Sequence, residues 1–258
     1  SAEMASKNRR TLGIGVTNLA YYLAKNGVKY SDGSGNRLVH DTFEALQYYS
    51  LKASNKLAKE LGACPLFPET QYAKGIMPID SYKKDVDSFC SPELKLDWPA
   101  LRAEVVKTGL RNSTLTALMP CESSSQISNS TNGIEPPRGY VAVKQSKDGI
   151  LKQIVPDYEN LKSQYELLWD IKDNEGYLQL CAIMQKFIDQ SISTNTHYDP
   201  SQFDGNRVPM KLLLMDLLKA YKYGIKTLYY HTTRDGATDE QNNSKPGDDD
   251  CADGVCKL

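Results

Sequence analysis

The sequence lacks a long apolar run, an excess of basic residues and a recognisable secretion signal, and each absence excludes a class of protein. No stretch of about 18 consecutive apolar residues occurs in the chain of 258 residues, so no membrane-spanning helix is predicted. Lysine and arginine total 31 against 32 aspartates and glutamates, a balance that argues against a binder of nucleic acid or of anionic membranes. Residues 1–10 contain no apolar core of a signal peptide, which predicts a cytoplasmic protein.

The sequence also offers little that could hold a metal ion. Its three histidines and six cysteines share no zinc-ligand spacing, so no metal site is predicted. Cysteines 64, 90, 121 and 181 are scattered, and an even number of cysteines alone does not define a disulfide framework. Hydrophobic residues make up 40% of the chain, which is enough for a large core.

The pattern of apolar residues, helix caps and turn residues predicts an α/β protein. Helices are predicted over 12–26, 41–62, 97–109, 157–171, 175–192 and 209–223, with the 41–62 helix starting at a capping-box-like Asp41 and Glu44. Short strands are predicted over 113–119, 193–198 and 225–231, and a hairpin joins 140–144 to 150–155 around Asp148-Gly149.

The chain divides by composition into two parts. Residues 63–96 are rich in proline and predict loops, whereas the helices that alternate with strands in the second half predict parallel pairing. Residues 235–258 are acidic and contain no aromatic residue, so they cannot bury enough apolar surface to offset the loss of chain entropy. We therefore expect a folded domain over 1–234 and a mobile acidic tail over 235–258.

The first candidate site is a serine-rich loop between a predicted strand and a predicted helix. It consists of Pro120, Cys121, Glu122, Ser123 and Ser124. The backbone N–H groups of a helix N-terminus bind phosphate, because they have no acceptor within the helix. An ordinary serine-rich N-cap explains the same residues, and the negative charge of Glu122 weakens the anion-binding interpretation.

The second candidate site is the adjacent pair Tyr229 and Tyr230 in a predicted strand. Successive side chains of a strand point to opposite faces, so such a pair ordinarily places one tyrosine in the core and one on the surface. The functional alternative is a redox relay in which a phenol loses an electron and a proton together. A second pair, Tyr48 and Tyr49, lies inside a predicted helix and shows that two adjacent tyrosines alone do not identify a relay.

The third candidate site is the pair Cys251 and Cys256 in the tail. A structural disulfide there would constrain no folded element, and zinc would need further ligands nearby. A mobile dithiol suits thiol–disulfide exchange between a buried disulfide and an external reductant. Gly13 and Gly15, by contrast, lack the preceding strand and third glycine of a dinucleotide fingerprint, and are interpreted as helix packing.

Together these residues resemble the C-terminal part of the large, catalytic subunit of class I aerobic ribonucleotide reductase, and the resemblance covers essentially the whole chain. It is closest to the enterobacterial and phage enzymes. The stretches that carry it are W-x2-L-x7-GLRN-x3-TA-x2-P over 98–120, RRTLGIG over 9–15, NGIEPPRG over 132–139 and TLYYHTTRDG over 227–236, together with the tail cysteines.

The resemblance implies a fold and a role for each candidate site. The fold is the C-terminal half of a ten-stranded α/β barrel. The loop of Pro120, Cys121, Glu122, Ser123 and Ser124 would hold the diphosphate of a ribonucleoside diphosphate substrate with its backbone amides. Many relatives have serine at the position of Cys121, which a backbone contact would tolerate.

The same resemblance implies roles for the two pairs and names the partners. Tyr229 and Tyr230 match stacked tyrosines that carry a radical from the small subunit. Cys251 and Cys256 match a tail pair that re-reduces the active-site disulfide and is itself reduced by thioredoxin or glutaredoxin. No cofactor is expected on this chain, since the diferric-tyrosyl radical resides in the small subunit and the ATP and deoxynucleotide effectors bind N-terminal parts of the large subunit.

The family's radical-forming cysteine and its two reducing cysteines have no match in this sequence. We therefore expect the chain to be inactive alone and to work with a separate N-terminal polypeptide, as one product of a split, phage-like gene. Two alternatives are a non-catalytic fragment that binds the small subunit or the N-terminal half, and a truncated product of a longer gene. Cys64, Cys90 and Cys181 are interpreted as structural, with Cys181 on a buried helix face.

Overall fold

Four extended segments lie side by side and run in the same direction through the computed structural model, which describes residues 1–146 and 149–234. Residues around Ile14 pair with those around Thr116, and Leu118 pairs with Ile192, both in parallel. The third segment continues into a strand that pairs in parallel with the last strand of the described chain. The prediction of a parallel α/β arrangement is confirmed.

Helices and a hairpin connect these segments. The helices are α1 (Ala2–Arg9), α2 (Leu19–Lys25), α3 (Asn36–Leu61), α4 (Pro78–Ser81), α5 (Trp98–Thr108), α6 (Glu122–Ile127), α7 (Tyr158–Leu161), α8 (Glu175–Gln185) and α9 (Met210–Lys222). The strands are β1 (Val141–Ser146), β2 (Gly149–Ile154), β3 (Thr194–Tyr198) and β4 (Leu228–Thr233). Short 3₁₀ turns lie at Phe67–Glu69, Tyr72–Lys74, Lys84–Ser88, Leu168–Asp170, Pro200–Gln202 and Asp204–Asn206.

The core is centred on α8, which packs against α3 and α9. Its residues Leu178, Leu180, Cys181 and Ile183 are fully buried. A helix that is apolar on all sides must be enclosed on all sides, which explains its central place. Burial of the Cys181 thiol raises its pKa to about 12, so this cysteine is a structural residue, as predicted.

Several elements lie where the sequence predicts them. Helix α5 begins after Asp97, whose side chain accepts from the Ala100 N–H at 3.0 Å, and ends at Gly109. Helix α9 follows Pro209, and Gly224 lies just beyond its end with a positive φ of 79°. Strands β1 and β2 form the antiparallel hairpin, with Ser146 paired to Gly149.

Four helix predictions are wrong or inexact. The helix predicted over 175–192 ends at Gln185, the last residue of α8. Residues 12–18 are extended rather than helical, because the Ile14 N–H and carbonyl bond to the neighbouring segment at Leu115 and Ala117. Helix α3 begins at Asn36, so Asp41 is not its cap and instead contacts Arg37 and Lys95. Residues 157–171 form only the four-residue α7 and one 3₁₀ turn.

None of the helices in the described ranges has both the length and the apolar character that crossing a lipid bilayer requires. Helix α9 does carry a stripe of exposed apolar side chains. The stripe consists of Met210, Leu214, Leu217, Leu218 and Tyr221, which are between 50% and 76% exposed. Their spacing places them on one face of the helix, while Asp216 and Ala220 on the other face are buried.

Candidate active site

The rings of Tyr229 and Tyr230 pack against each other on the surface of β4, with their planes tilted by 49°. Their ring centroids are 4.1 Å apart and the two phenol oxygens lie 3.3 Å apart. Both side chains are about half exposed, at 50% and 57%, so the expectation of one core and one surface tyrosine is wrong. The hydrogen bond to Tyr229 raises the pKa of the Tyr230 phenol, because ionisation would remove the shared proton.

The serine-rich loop forms the predicted turn into a helix. Cys121 is the residue before α6, and its N–H donates to the Asn132 side chain at 3.1 Å. The amides of Ser123 and Ser124 belong to the first turn, where N–H groups have no acceptor within a helix. The Ser125 hydroxyl donates to the Glu122 carbonyl at 2.8 Å and closes the turn. The geometry therefore fits both the N-cap interpretation and the phosphate interpretation.

One cavity of about 390 Å³ joins this loop to the tyrosine pair. Its lining includes Pro120 and Glu122 from the loop together with Tyr229 and Tyr230. Cys121, Ser123 and Ser124 are neighbours of these residues in the chain but do not line the cavity themselves. Two of the three candidate sites thus line the same cavity, although more than a hundred residues separate them in sequence.

The remaining wall of the cavity contains residues that sequence reasoning did not single out. Glu135, Arg138 and Asn195 line it, and the Asn195 side-chain amide donates to the Glu135 carboxylate. Burial raises the pKa of Glu135, an effect that the hydrogen bond from Asn195 and the charge of Arg138 partly oppose. The only sequence signal for Glu135 and Arg138 is that both lie in the NGIEPPRG stretch.

His197 lies beneath this wall, with its Nε2 3.8 Å from the Glu135 carboxylate. Burial, reinforced by the charge of Arg138, lowers the pKa of His197 to about 4. The imidazole is therefore neutral at physiological pH, and neither ring nitrogen has a hydrogen-bond partner within the described residues. The exposed guanidinium of Arg138 is a cation positioned for an anionic ligand in the cavity.

A larger cavity of about 780 Å³ contains none of the predicted site residues. It is lined by residues that come just before the paired segments in the chain, namely Ser113, Thr114, Asp189 and Lys226. Ligands of open parallel sheets bind beyond the carboxyl ends of the strands, and Pro120 and Glu122 lie beyond such an end. The smaller cavity is therefore the better candidate active site.

His40, Asp41 and Glu44 are near enough for shared metal binding, since their ligand atoms lie within 4.8 Å of one another. Their partners do not favour a cation. The Lys186 ammonium is 3.3 Å from the His40 Nε2, and the Asp41 carboxylate already pairs with Lys95 at 2.7 Å. Glu44 accepts hydrogen bonds from the backbone at 95 and 96 and from the Trp98 indole. The cluster is a buried charge network rather than a metal centre.

The third candidate site, the pair Cys251 and Cys256, lies outside the residues that the structure describes. Among the described cysteines, Cys64, Cys90 and Cys181 are buried and have no disulfide partner. Burial raises the pKa of the Cys121 thiol, so it is not a reactive thiolate at neutral pH.

The family of the chain follows from comparison with known proteins. Residues 1–231 match the ribonucleotide reductase barrel domain, and the chain belongs to this family. Its fold class is therefore that of the reductase barrel, as the resemblance implied, and the four parallel segments described above are part of that barrel.

The comparison with curated proteins gives the same family at high identity. The chain is 65% identical over 260 residues to ribonucleoside-diphosphate reductase 1 subunit alpha of Escherichia coli (strain K12). It is 66% identical over 258 residues to the subunit alpha of Haemophilus influenzae, and 50% identical over 256 residues to that of Enterobacteria phage T4. The two bacterial alignments cover 100% of this chain and the phage alignment 98%. The chain spans 34% of the length of the bacterial relatives and 33% of the phage relative.

Proposed function

We propose that this chain supplies the substrate-phosphate loop and the radical-transfer tyrosines of a ribonucleoside-diphosphate reductase, which converts ribonucleoside diphosphates to deoxyribonucleoside diphosphates. One observation carries the proposal: a single cavity is lined by the loop at Pro120 and Glu122 and by the stacked pair Tyr229 and Tyr230. A substrate in this cavity would lie between a helix N-terminus and two redox-active phenols.

The diphosphate would lie against the first turn of α6. The Ser123 and Ser124 amides offer N–H donors there, and the helix dipole favours a negative charge. Glu122 opposes an anion here, whereas the guanidinium of Arg138, which lines the same cavity, offsets that charge. The amides of the loop would therefore orient the diphosphate, and Arg138 would supply the positive charge that attracts it.

The tyrosine pair would pass an oxidising equivalent from the small subunit toward the substrate. Each transfer removes an electron and a proton from one phenol and gives both to the phenoxyl radical of the other tyrosine, so the radical moves and the neighbour returns to a phenol. The 3.3 Å separation of the phenol oxygens permits the proton to move within a hydrogen bond while the electron moves between the stacked rings. Their exposure leaves the pair accessible to a partner subunit.

The rest of the reaction requires groups beyond the described residues. The radical-forming cysteine and the two reducing cysteines would come from an N-terminal portion of the large subunit, which the sequence hypothesis assigns to a separate polypeptide. Cys251 and Cys256 would then return electrons to the active-site disulfide and receive them from thioredoxin or glutaredoxin by thiol–disulfide exchange.

The small subunit is proposed to contact the exposed stripe of α9. This helix leads through Gly224 directly into β4, which carries the exposed tyrosines. A partner that delivers an oxidising equivalent to the tyrosines must approach this side of the chain. An exposed apolar stripe on the helix that precedes the tyrosine strand in the chain is a surface that such a partner would cover.

Substitution of the tyrosines tests the proposal. Tyr229→Phe or Tyr230→Phe, in the complex with the N-terminal portion and the small subunit, should abolish turnover and leave substrate binding unchanged. Phenylalanine keeps the ring but has no phenolic proton to transfer. The measurement is formation of deoxyribonucleoside diphosphate beside a substrate dissociation constant.

A matched control is Tyr49→Phe. Tyr49 is 56% exposed and packs against Tyr48 with ring centroids 5.3 Å apart, yet it lies on α3 away from the cavity. The control should keep full turnover. Full turnover in Tyr229→Phe and Tyr230→Phe would contradict the relay, and loss of turnover in Tyr49→Phe would show a general structural effect.

A further inference from the structure

The parallel pairing of β3 and β4 is interrupted where the tyrosines lie. Thr194 is opposite Leu228, but Thr196 is opposite His231, so Asn195 alone faces both Tyr229 and Tyr230. One extra residue on a strand is a β-bulge, a feature that is rare in parallel pairs and re-aims the side chains around it. The bulge explains why two successive tyrosines both emerge on the surface.

Side-chain hydrogen bonds replace the ladder at the bulge. The Asn195 Oδ1 accepts from the Tyr230 N–H at 3.0 Å, so this backbone donor keeps a partner. One residue further on, the Thr196 hydroxyl and the His231 Nδ1 lie 2.6 Å apart, where regular pairing resumes. The bulge is therefore enclosed by specific contacts and is not a frayed end.

Glu135 fixes the orientation of Asn195. The Asn195 Nδ2 donates to the Glu135 Oε1, and this contact determines that Oδ1 faces the Tyr230 N–H. Glu135 comes from the loop before β1, far from β3 and β4 in sequence. Its side chain is part-buried, and its carboxylate lies 3.8 Å from the His197 Nε2. A part-buried carboxylate that accepts a hydrogen bond from Asn195 holds that amide in a single position.

We propose that Asn195 and Glu135 are positioning residues that hold the bulge and thereby keep Tyr229 and Tyr230 stacked for proton-coupled electron transfer. We call this pair of hydrogen bonds the Glu135–Asn195 latch. The role in electron transfer rests on the proposed function, whereas the hydrogen bonds of the latch are features of the described structure. The hydrogen bond from the Tyr230 N–H to Asn195 connects the latch to the tyrosines, so both residues act through the backbone of Tyr230.

Loss of the latch would change the relation between the two rings. A strand without the bulge alternates its side chains, and a register shift of one residue moves a side chain to the opposite face. Tyr229 and Tyr230 would then lie on opposite faces of β4. Their phenol oxygens would no longer lie within hydrogen-bond distance, and neither a proton nor an electron would pass efficiently between them.

The test exchanges the two polar groups of the latch. Asn195→Asp alone places a second carboxylate beside Glu135 and should break the contact by charge repulsion. The double variant Asn195→Asp with Glu135→Gln restores it, because the glutamine amide donates to one aspartate oxygen and the other accepts from the Tyr230 N–H. Asn195→Ala removes both bonds, and Asn206→Asp is the control for an added charge at an exposed asparagine outside the cavity lining.

Two readouts are measured on the full chain: hydrogen exchange of the Tyr230 amide and the pKa of the Tyr230 phenol. Asn195→Asp and Asn195→Ala should each speed exchange about tenfold, the factor expected for one lost hydrogen bond. They should also return the raised phenol pKa toward its ordinary value. The double variant and Asn206→Asp should match the original chain in both readouts.

Turnover of the assembled complex is measured for the same variants. We expect loss of turnover in Asn195→Asp, recovery in the double variant and full turnover in Asn206→Asp. Unchanged exchange and phenol pKa in Asn195→Asp and Asn195→Ala would overturn the latch, and failure of the double variant to recover would overturn the role of Glu135. Full turnover with a broken latch would overturn the positioning role. Absence of turnover in the original complex would instead count against the proposed function, while exchange and pKa would still decide the latch.

Discussion

Gly15 lies where the extended segment 12–18 presses against its neighbour. A Cβ added there would meet the Ala117 carbonyl oxygen at 2.8 Å and the Met119 sulfur at 2.7 Å. A Cβ at Gly13 would meet nothing nearer than the flexible Met119 methyl at 3.3 Å. Gly15 is therefore required by the close approach of two backbones, whereas Gly13 is not.

This difference predicts the effect of alanine at each glycine. Gly15→Ala should lower the free energy of unfolding by about 1–3 kcal/mol, the usual cost of overpacking. Gly13→Ala should cost less, because the end of a methionine side chain can move. Urea denaturation of the full chain measures both. Equal values for the two variants would contradict the account of this contact.

Residue identity alone favoured one core and one surface tyrosine, and only the family resemblance made the pair a candidate site. Alternation along a strand favours one buried and one exposed tyrosine, and this holds only where pairing is regular. The bulge opposite Asn195 removes that regularity. Glu135 and Asn195 carry no local signal of their role, because their contact joins parts of the chain 60 residues apart.

At the scale of elements, the proposal places the diphosphate against the N-terminal amides of helix α6. Ser123→Pro should weaken binding of a ribonucleoside diphosphate about tenfold, because it removes one N–H donor at a helix position that accepts proline. Ser123→Ala keeps the amide, loses only the hydroxyl and should bind normally. Calorimetric titration of the assembled complex measures both. Equal affinity in the proline and alanine variants would favour an ordinary N-cap.

The proposed contact between the small subunit and helix α9 predicts the effect of substitutions on its exposed stripe. Leu214 and Leu218 are each 52% exposed, so Leu214→Lys or Leu218→Lys should leave folding intact and weaken the association about tenfold or more. Leu61→Lys at the end of α3, where the side chain is 61% exposed, is the control. Analytical ultracentrifugation with the small subunit measures the association. An unchanged dissociation constant for the α9 variants would contradict this contact.

Elements with strong local caps were predictable, and those determined by distant contacts were not. Asp97 and Gly109 define both ends of α5 from the sequence alone. Residues 157–171 have a helical pattern, yet the chain turns so that the Glu166 carboxylate can accept from the backbone N–H groups of Tyr30 and Ser31. Such a contact, 136 residues apart, has no signature in a local window.

At the scale of the whole molecule, the described chain forms part of a barrel and, as proposed above, supplies part of an active site. The segment around Ile14 and the strand β4 are the two ends of its row of parallel segments. A barrel closes when further strands join such ends, and closure removes exposed edges. The proposed loop and tyrosines face a cavity to which an N-terminal portion would add the radical-forming cysteine.

The most direct test of the central claim is the reduction of a ribonucleoside diphosphate by this chain with the small subunit and thioredoxin, in the presence and absence of the N-terminal portion of the large subunit. The account predicts formation of deoxyribonucleoside diphosphate when all components are present and none when the N-terminal portion is omitted. No product from the complete mixture, in which association of the components has been verified, would contradict it.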